Sequence, residues 1–123
     1  MNGYSCLTRR YFETAAGAGV LSGSGVRRGA AGSPAQGTWV QFDLRVGDPG
    51  RGAQRILAAR FLAFGCPHTI AVCSWIAEQA TGTIPEAALP ESLQRLKSRF
   101  EVPAEKMGRL LVIEDAWIAA IGA

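Results

Sequence analysis

Hydrophobic and polar positions alternate most cleanly from Trp39 to Val46. Val40, Phe42, Leu44 and Val46 fall on one face, and Gln41, Asp43 and Arg45 on the other. That period of two predicts a half-buried strand. Asp48-Pro49-Gly50-Arg51-Gly52 reads as a hairpin turn, and Gln54 to Phe64 as the next strand. Ile56, Leu57, Phe61, Leu62 and Phe64 supply its bulk, and Arg60 inside it suits a sheet rim or an ion pair. Helical periods flank this pair. Tyr4 to Ala16 predicts a helix capped by Ser5, with Leu7, Tyr11 and Phe12 on one face. Pro67 to Thr81 predicts another, ended by Gly82. Ile84-Pro85 to Leu89 reads as a short helical turn, and Pro90-Glu91 to about Phe100 as a helix with Leu93, Leu96 and Phe100 as its stripe. Ala104 to Ile121 is the last helix, its core face marked by Leu110, Ile113, Trp117 and Ile121. Gly17 to Gly32, rich in Gly, Ala and Ser, predicts a mobile segment or at best a short edge strand.

Strands in the first half and helices in the second give an α+β class, an antiparallel sheet with helices packed on one face. The 123 residues suit one domain spanning 1–123, and 48% hydrophobic content suffices for a core. Apolar runs are too short for a membrane span, so no membrane partner is expected. The charge is uneven: residues 1–60 carry eight basic and three acidic side chains, and residues 61–123 five and seven. Basic residues neither cluster nor interleave with aromatics, which argues against nucleic acid. The basic half could instead face an acidic protein. The three cysteines cannot all pair within the chain, and a reducing cytoplasm fits them best. Arg9-Arg10 before Ala15 to Leu21 resembles a twin-arginine export signal. The apolar stretch is short, glycine-rich and broken by Ser22, without a clear cleavage site, so a first helix is the competing reading.

Candidate chemistry gathers at Phe64-Gly65-Cys66-Pro67-His68. Proline suits the first helical position, which puts Cys66 at the cap, near free N–H groups and the positive end of the helix dipole. That place favours a thiolate, able to attack or to ligate a metal. Cys66 could equally be a small apolar residue at a strand–helix junction. His68 could add a second ligand, although an exposed lone histidine is the commoner occurrence. A Cys66–His68 nucleophile–base pair is disfavoured because side chains two apart at a helix start should diverge. No Ser–His–carboxylate set exists, and no enzyme activity is expected. Cys73 lies two turns on, too far to share a metal with Cys66, and should pack against the sheet. Cys6 on the first helix reads as non-functional.

Phe64-Gly65-Cys66 with Ile70-Ala71 resembles the second ligand motif, F/Y-G-C-G-S-A-I-A-S-S-S, of the IscU/NifU-type iron–sulfur cluster scaffolds. Gly32-Ser33-Pro34-Ala35-Gln36-Gly37-Thr38 resembles their first ligand loop, G-A-P-A-C-G-D. Gln36 stands where that family has a cysteine ligand, and Thr38 where it has an aspartate. Glu114-Asp115-Ala116 matches E-D-A, which places Gly108-Arg109 at the family's H-C ligand pair. Tyr4-Ser5 and Tyr11-Phe12-Glu13 sit in register with its opening helix. Pro103 and Lys106 are what remains of its chaperone-recognised L-P-P-V-K.

The resemblance implies a small three-stranded antiparallel sheet and work in iron–sulfur cluster assembly with a cysteine desulfurase and other assembly factors. Cys66 would be the one retained ligand or a sulfur acceptor, and Gln36, Thr38, Gly108 and Arg109 would line a former ligand pocket. Arg109 should point toward Cys66 and Gln36, stabilise a thiolate and oppose a metal cation. A cluster or iron would need more ligands than Cys66 and His68, since about four are usual; zinc meets the same shortage. A homodimer with two Cys66 and two His68 is one conceivable cluster site, and a monomer or weak homodimer is expected. The alternative is an interaction or regulatory protein that binds no cluster but still binds a cysteine desulfurase or another assembly factor. Under it, Cys66→Ala leaves the binding intact; under the first, it abolishes the activity.

Overall fold

The structure, a computed structural model, describes residues 3–47 and 54–123. The elements run α1 (Cys6–Thr14), β1 (Val26–Ser33), β2 (Thr38–Val46), β3 (Ile56–Phe64), α2 (Pro67–Ala80), α3 (Leu93–Phe100) and α4 (Met107–Ile121). Short 3₁₀ turns at Pro34–Gln36 and Ala104–Lys106 precede β2 and α4. The strands form one antiparallel sheet in the order β1-β2-β3. The α+β expectation and its three strands hold. The turn expected at Asp48–Gly52 lies outside the described residues.

β2 is the central strand, and its alternation has the expected cause. Val40, Phe42 and Leu44 are fully buried beneath the helices. α4 lies across β1 and β2, α2 covers β3, and α1 packs on α2. Phe42 meets Trp117 of α4 edge to face at 5.3 Å, a favoured aromatic geometry. Leu110, Ile113 and Trp117 of the predicted stripe are buried as its spacing requires, while Ile121 at the helix end is only half-buried.

Of the two readings for the glycine-rich segment, the edge strand holds for its second half, where Val26–Ser33 forms the eight residues of β1. Its small residues serve packing. A Cβ at Gly29 would stand 2.1 Å from the Ala120 nitrogen, so only glycine lets α4 approach β1 this closely. Residues 17–21 are held too. Phe61 N–H donates to the Gly17 carbonyl, and Gly19 N–H to the Phe61 carbonyl, along the β3 edge. The chain then crosses the outer face, where Leu21 N–H donates to Asp43 Oδ2. Asp43, expected on the solvent face, is instead buried, because Arg28 pairs with it at 2.8 Å under this strap.

Other expectations are corrected. Of the bulky β3 residues, Ile56 and Phe61 are buried as expected, beside Ala59, but Leu57, Leu62 and Phe64 are exposed. A register shift at Arg45/Val46 takes Val46 off the buried face. No helix forms at Ile84–Leu89; Trp117 Nε1 donates to the Glu86 and Ala88 carbonyls and pins that segment as a loop. α3 starts at Leu93, because Ser92 supplies the cap that Pro90-Glu91 lacks. Arg60 donates only to the Ala59 carbonyl among its described bonds. Arg9 and Arg10 lie exposed on α1, which is folded onto the core through Tyr11. Among the described residues, no helix is long and apolar enough to cross a membrane.

Candidate functional site

The sheet and two helix N-termini converge at one end of the fold. Trp39 pairs with Phe64, so the start of β2 and the chain just beyond β3 lie side by side there. Gly32 at that end of β1 touches Val112 in the first half of α4, which brings the α4 start to the same place. Cys66 caps α2 with extended backbone (φ −84°, ψ 172°), and Pro67 opens the helix. That position puts the sulfur beside the free N–H groups of the first turn, without a side-chain cap hydrogen bond.

Those N–H groups belong to His68 and Thr69, and both favour a Cys66 thiolate. Thr69 also brings its hydroxyl to 3.8 Å from Sγ. Gly65 makes room for it, since a Cβ there would lie 2.9 Å from Thr69 Oγ1. From α4, the Arg109 side chain also favours the thiolate. Burial alone pushes the Cys66 thiol up. The Thr69 N–H and hydroxyl, Arg109 and the His68 N–H more than reverse this, so the thiol sits below its ordinary value.

His68 is neither exposed nor divergent. It is 4% exposed, and its Nδ1 stands 3.9 Å from Cys66 Sγ. The extended cap residue turns the sulfur back over the first helical turn, which side-chain spacing on a regular helix does not convey. The Tyr4 ring covers the imidazole with centroids 4.7 Å apart, and Lys106 Nζ lies 5.7 Å from the centre of that ring. Burial, then Lys106, then Arg109 lower the His68 pKa, against the Glu101 carbonyl, which raises it. The imidazole is therefore neutral at neutral pH.

The other positions separate. Gln36 is exposed on the 3₁₀ turn, its N–H bonded to Ser33 Oγ. Thr38 is buried at the start of β2, opposite Ser33. Gly108 is exposed with open space at its Cβ position. The structure thus brings Cys66 and His68 together, with Arg109 favouring the thiolate, and no contact joins Gln36, Thr38 or Gly108 to them among the described residues. Thr69 and Lys106 belong to the cluster as well. The position of Thr69, third after the cap, is the one feature of the sequence that could have marked it. Cys6 is exposed on α1, and Cys73 is fully buried in α2.

These residues do not fit an iron–sulfur cluster as cargo. A cluster needs about four soft ligands. Here one thiolate and one imidazole share the space with two cations. Among the described residues, no three His, Cys, Asp or Glu side chains come together as a metal site.

The NifU-like N terminal domain family matches residues 4–123. The iron–sulfur cluster assembly scaffold protein IscU of Haemophilus influenzae is 34% identical over 98 residues, covering 80% of this chain and 75% of that protein. IscU of Rickettsia prowazekii is 32% identical over 96 residues, covering 78% and 70%. In fold, the chain is similar to a crystal structure of an iron–sulfur cluster assembly scaffold protein for the SUF system from Fervidobacterium islandicum. That similarity has a TM-score of 0.64 at 14% identity and covers 98% of this chain and 95% of the other. With the family pattern spanning almost every residue and two scaffold relatives above 30% identity, the chain belongs to the NifU/IscU-type family of iron–sulfur cluster assembly scaffolds.

Proposed function

We propose that this protein acts in iron–sulfur cluster assembly as a sulfur acceptor, with Cys66 as the accepting group and a cysteine desulfurase as donor. The observation that carries this is the Cys66 environment: a cap thiol favoured as thiolate by the Thr69 hydroxyl and the Arg109 side chain. The family relatives support the pathway, and the side chains support the step. Sulfur acceptance asks for one activated thiolate, whereas holding a cluster asks for about four ligands.

The step is a thiol–persulfide exchange. The Cys66 thiolate attacks the outer sulfur of a persulfide on the donor's cysteine. One S–S bond breaks as another forms, Cys66 becomes the persulfide, and the donor's cysteine leaves as a thiolate. No oxidant is consumed. Arg109 and the helix N-terminus stabilise the anion before and after transfer. The protein is a carrier in this step, not a catalyst.

Incubation with a cysteine desulfurase and cysteine should add the mass of one sulfur to the intact chain, reversibly by reductant. Cys66→Ala should show no addition, and Cys6→Ser should behave as wild type. Sulfur added equally to Cys66→Ala would overturn the assignment.

A further inference from the structure

The edge strand of a sheet presents N–H and C=O groups that another strand can join. β3 is such an edge, and its outward groups are covered in turn. Gly82 N–H donates to the Ile56 carbonyl, and Ile56 N–H to the Thr83 carbonyl. The Arg60 guanidinium donates to the Ala59 carbonyl at 2.9 Å. Phe61 turns both of its backbone groups to the segment between α1 and β1, in a parallel bridge opposite Ala18. The first cover follows directly from α2, and the second is a side chain of β3 itself. The third is the strap. It holds four glycines, Gly17, Gly19, Gly23 and Gly25, and no charged residue from Ala15 to Gly25.

Side chains of the sheet fasten this strap by its backbone. Asp43 Oδ2 accepts from Leu21 N–H at 2.9 Å. Arg28 Nη2 donates to the Leu21 carbonyl at 3.2 Å, and Arg45 Nη2 to the Ser22 carbonyl at 2.7 Å. Asp43 also accepts two bonds from Arg28 at 2.8 Å and one from Gln41 at 3.2 Å. The carboxylate is buried although its strand position faces away from the helices, so the strap both hides it and hangs from it. Along β3, Leu57, Leu62 and Phe64 stand exposed. With the strap away, Phe61 would offer unpaired backbone groups beside exposed apolar side chains, the combination that invites strand pairing. A single edge paired antiparallel about a two-fold axis is complementary to itself.

We propose that the strap is a releasable guard on the β3 edge, that Asp43 is its latch, and that release lets β3 pair with β3 of a second copy of this chain. Opening costs a handful of bonds in a segment that contributes few side chains to the core, so residues 17–22 come away as a unit while the sheet and helices stay closed.

Residue-resolved hydrogen exchange of the full chain in low denaturant tests the guard. Gly19, Leu21 and Phe61 amides should exchange together, through an opening that depends weakly on denaturant and is easier than that of Phe42 and Ile113. Exchange of all five only by global unfolding would overturn the proposal. In Asp43→Asn the side chain has one acceptor oxygen to divide between Leu21 and Arg28. The shared opening should become easier by on the order of ten- to a hundredfold, as for loss of a hydrogen bond to a charged group. Unchanged strap exchange would remove Asp43 as the latch. Sedimentation velocity of Asp43→Asn should show a dimer that grows with concentration beyond wild type. Adding Leu62→Lys, which sets a charge beside the edge, should reverse it. A freed strap without added association would overturn the guarding role. If Asp43→Asn does not fold, Arg45→Gln decides, because it removes only the bond to the Ser22 carbonyl. It should ease the same opening by up to about tenfold, and no change would count against the latch.

Discussion

Two cysteines on one helix, seven residues apart, live in opposite conditions. Cys66 caps α2, half-buried, with the Thr69 hydroxyl and the His68 ring near its sulfur and the first-turn N–H groups and Arg109 favouring its thiolate. Cys73 lies two turns further in, wholly buried, where desolvation pushes its thiol up. The residue type is the same, and both lie on a helix that is largely buried. What differs is the supply of donors. The first turn of a helix has spare N–H groups, and the middle has none. Chemistry on this fold therefore belongs at the helix end, and the mid-helix thiol serves as a small apolar filler.

The largest expected effect is kinetic. Under native conditions iodoacetamide should modify Cys66 at least about a thousandfold faster than Cys73, which reacts only when the fold opens. Peptide mapping of a time course measures both, and comparable rates would erase the contrast. A smaller effect sharpens the Cys66 side. Thr69→Val removes the hydroxyl 3.8 Å from the sulfur while keeping shape. The pH midpoint of Cys66 alkylation should rise, slowing the reaction at neutral pH by up to about tenfold. An unchanged midpoint would mean that the backbone and Arg109 suffice.

The smallest effect concerns Cys73 and is thermodynamic. Its folded pKa is raised, so the stability tied to the neutral thiol is complete below the unfolded value, roughly 8.5, and is lost as pH rises above it. The loss should be about 1.4 kcal/mol for each pH unit beyond that point. Denaturant unfolding at neutral and alkaline pH should show this loss in wild type and less of it in Cys73→Ala. Equal alkaline losses in the two proteins would show that other groups govern it.

Much of this was legible in the sequence. The alternation of β2 and the stripe of α4 follow directly from periods that burial enforces. Pro67 marked the start of α2, and hence the cap position of Cys66. The resemblance carried through Glu114-Asp115-Ala116 pointed Arg109 toward Cys66, and Arg109 is among the groups that favour the Cys66 thiolate. β1 was not legible as a full strand. Its glycines are chosen for the close approach of α4, and strand propensity is overridden there by packing. Leu57, Leu62 and Phe64 misled for the converse reason: bulk does not say which face of a strand is covered. His68 was misplaced as exposed because its burial depends on Tyr4, distant in sequence, folding over it. Its proximity to Cys66 depends on a single cap conformation, which composition does not encode.

The most direct test of the sulfur-acceptor account is anaerobic incubation of the protein with a cysteine desulfurase, cysteine and ferrous iron. Intact mass, bound sulfide and bound iron are then read on the same sample, beside Cys66→Ala. The account predicts one sulfur added at Cys66 with no iron retained, and neither on Cys66→Ala. Iron and sulfide bound together on the wild type and lost in Cys66→Ala would contradict it, because Cys66 would then be a cluster ligand despite the cations around it.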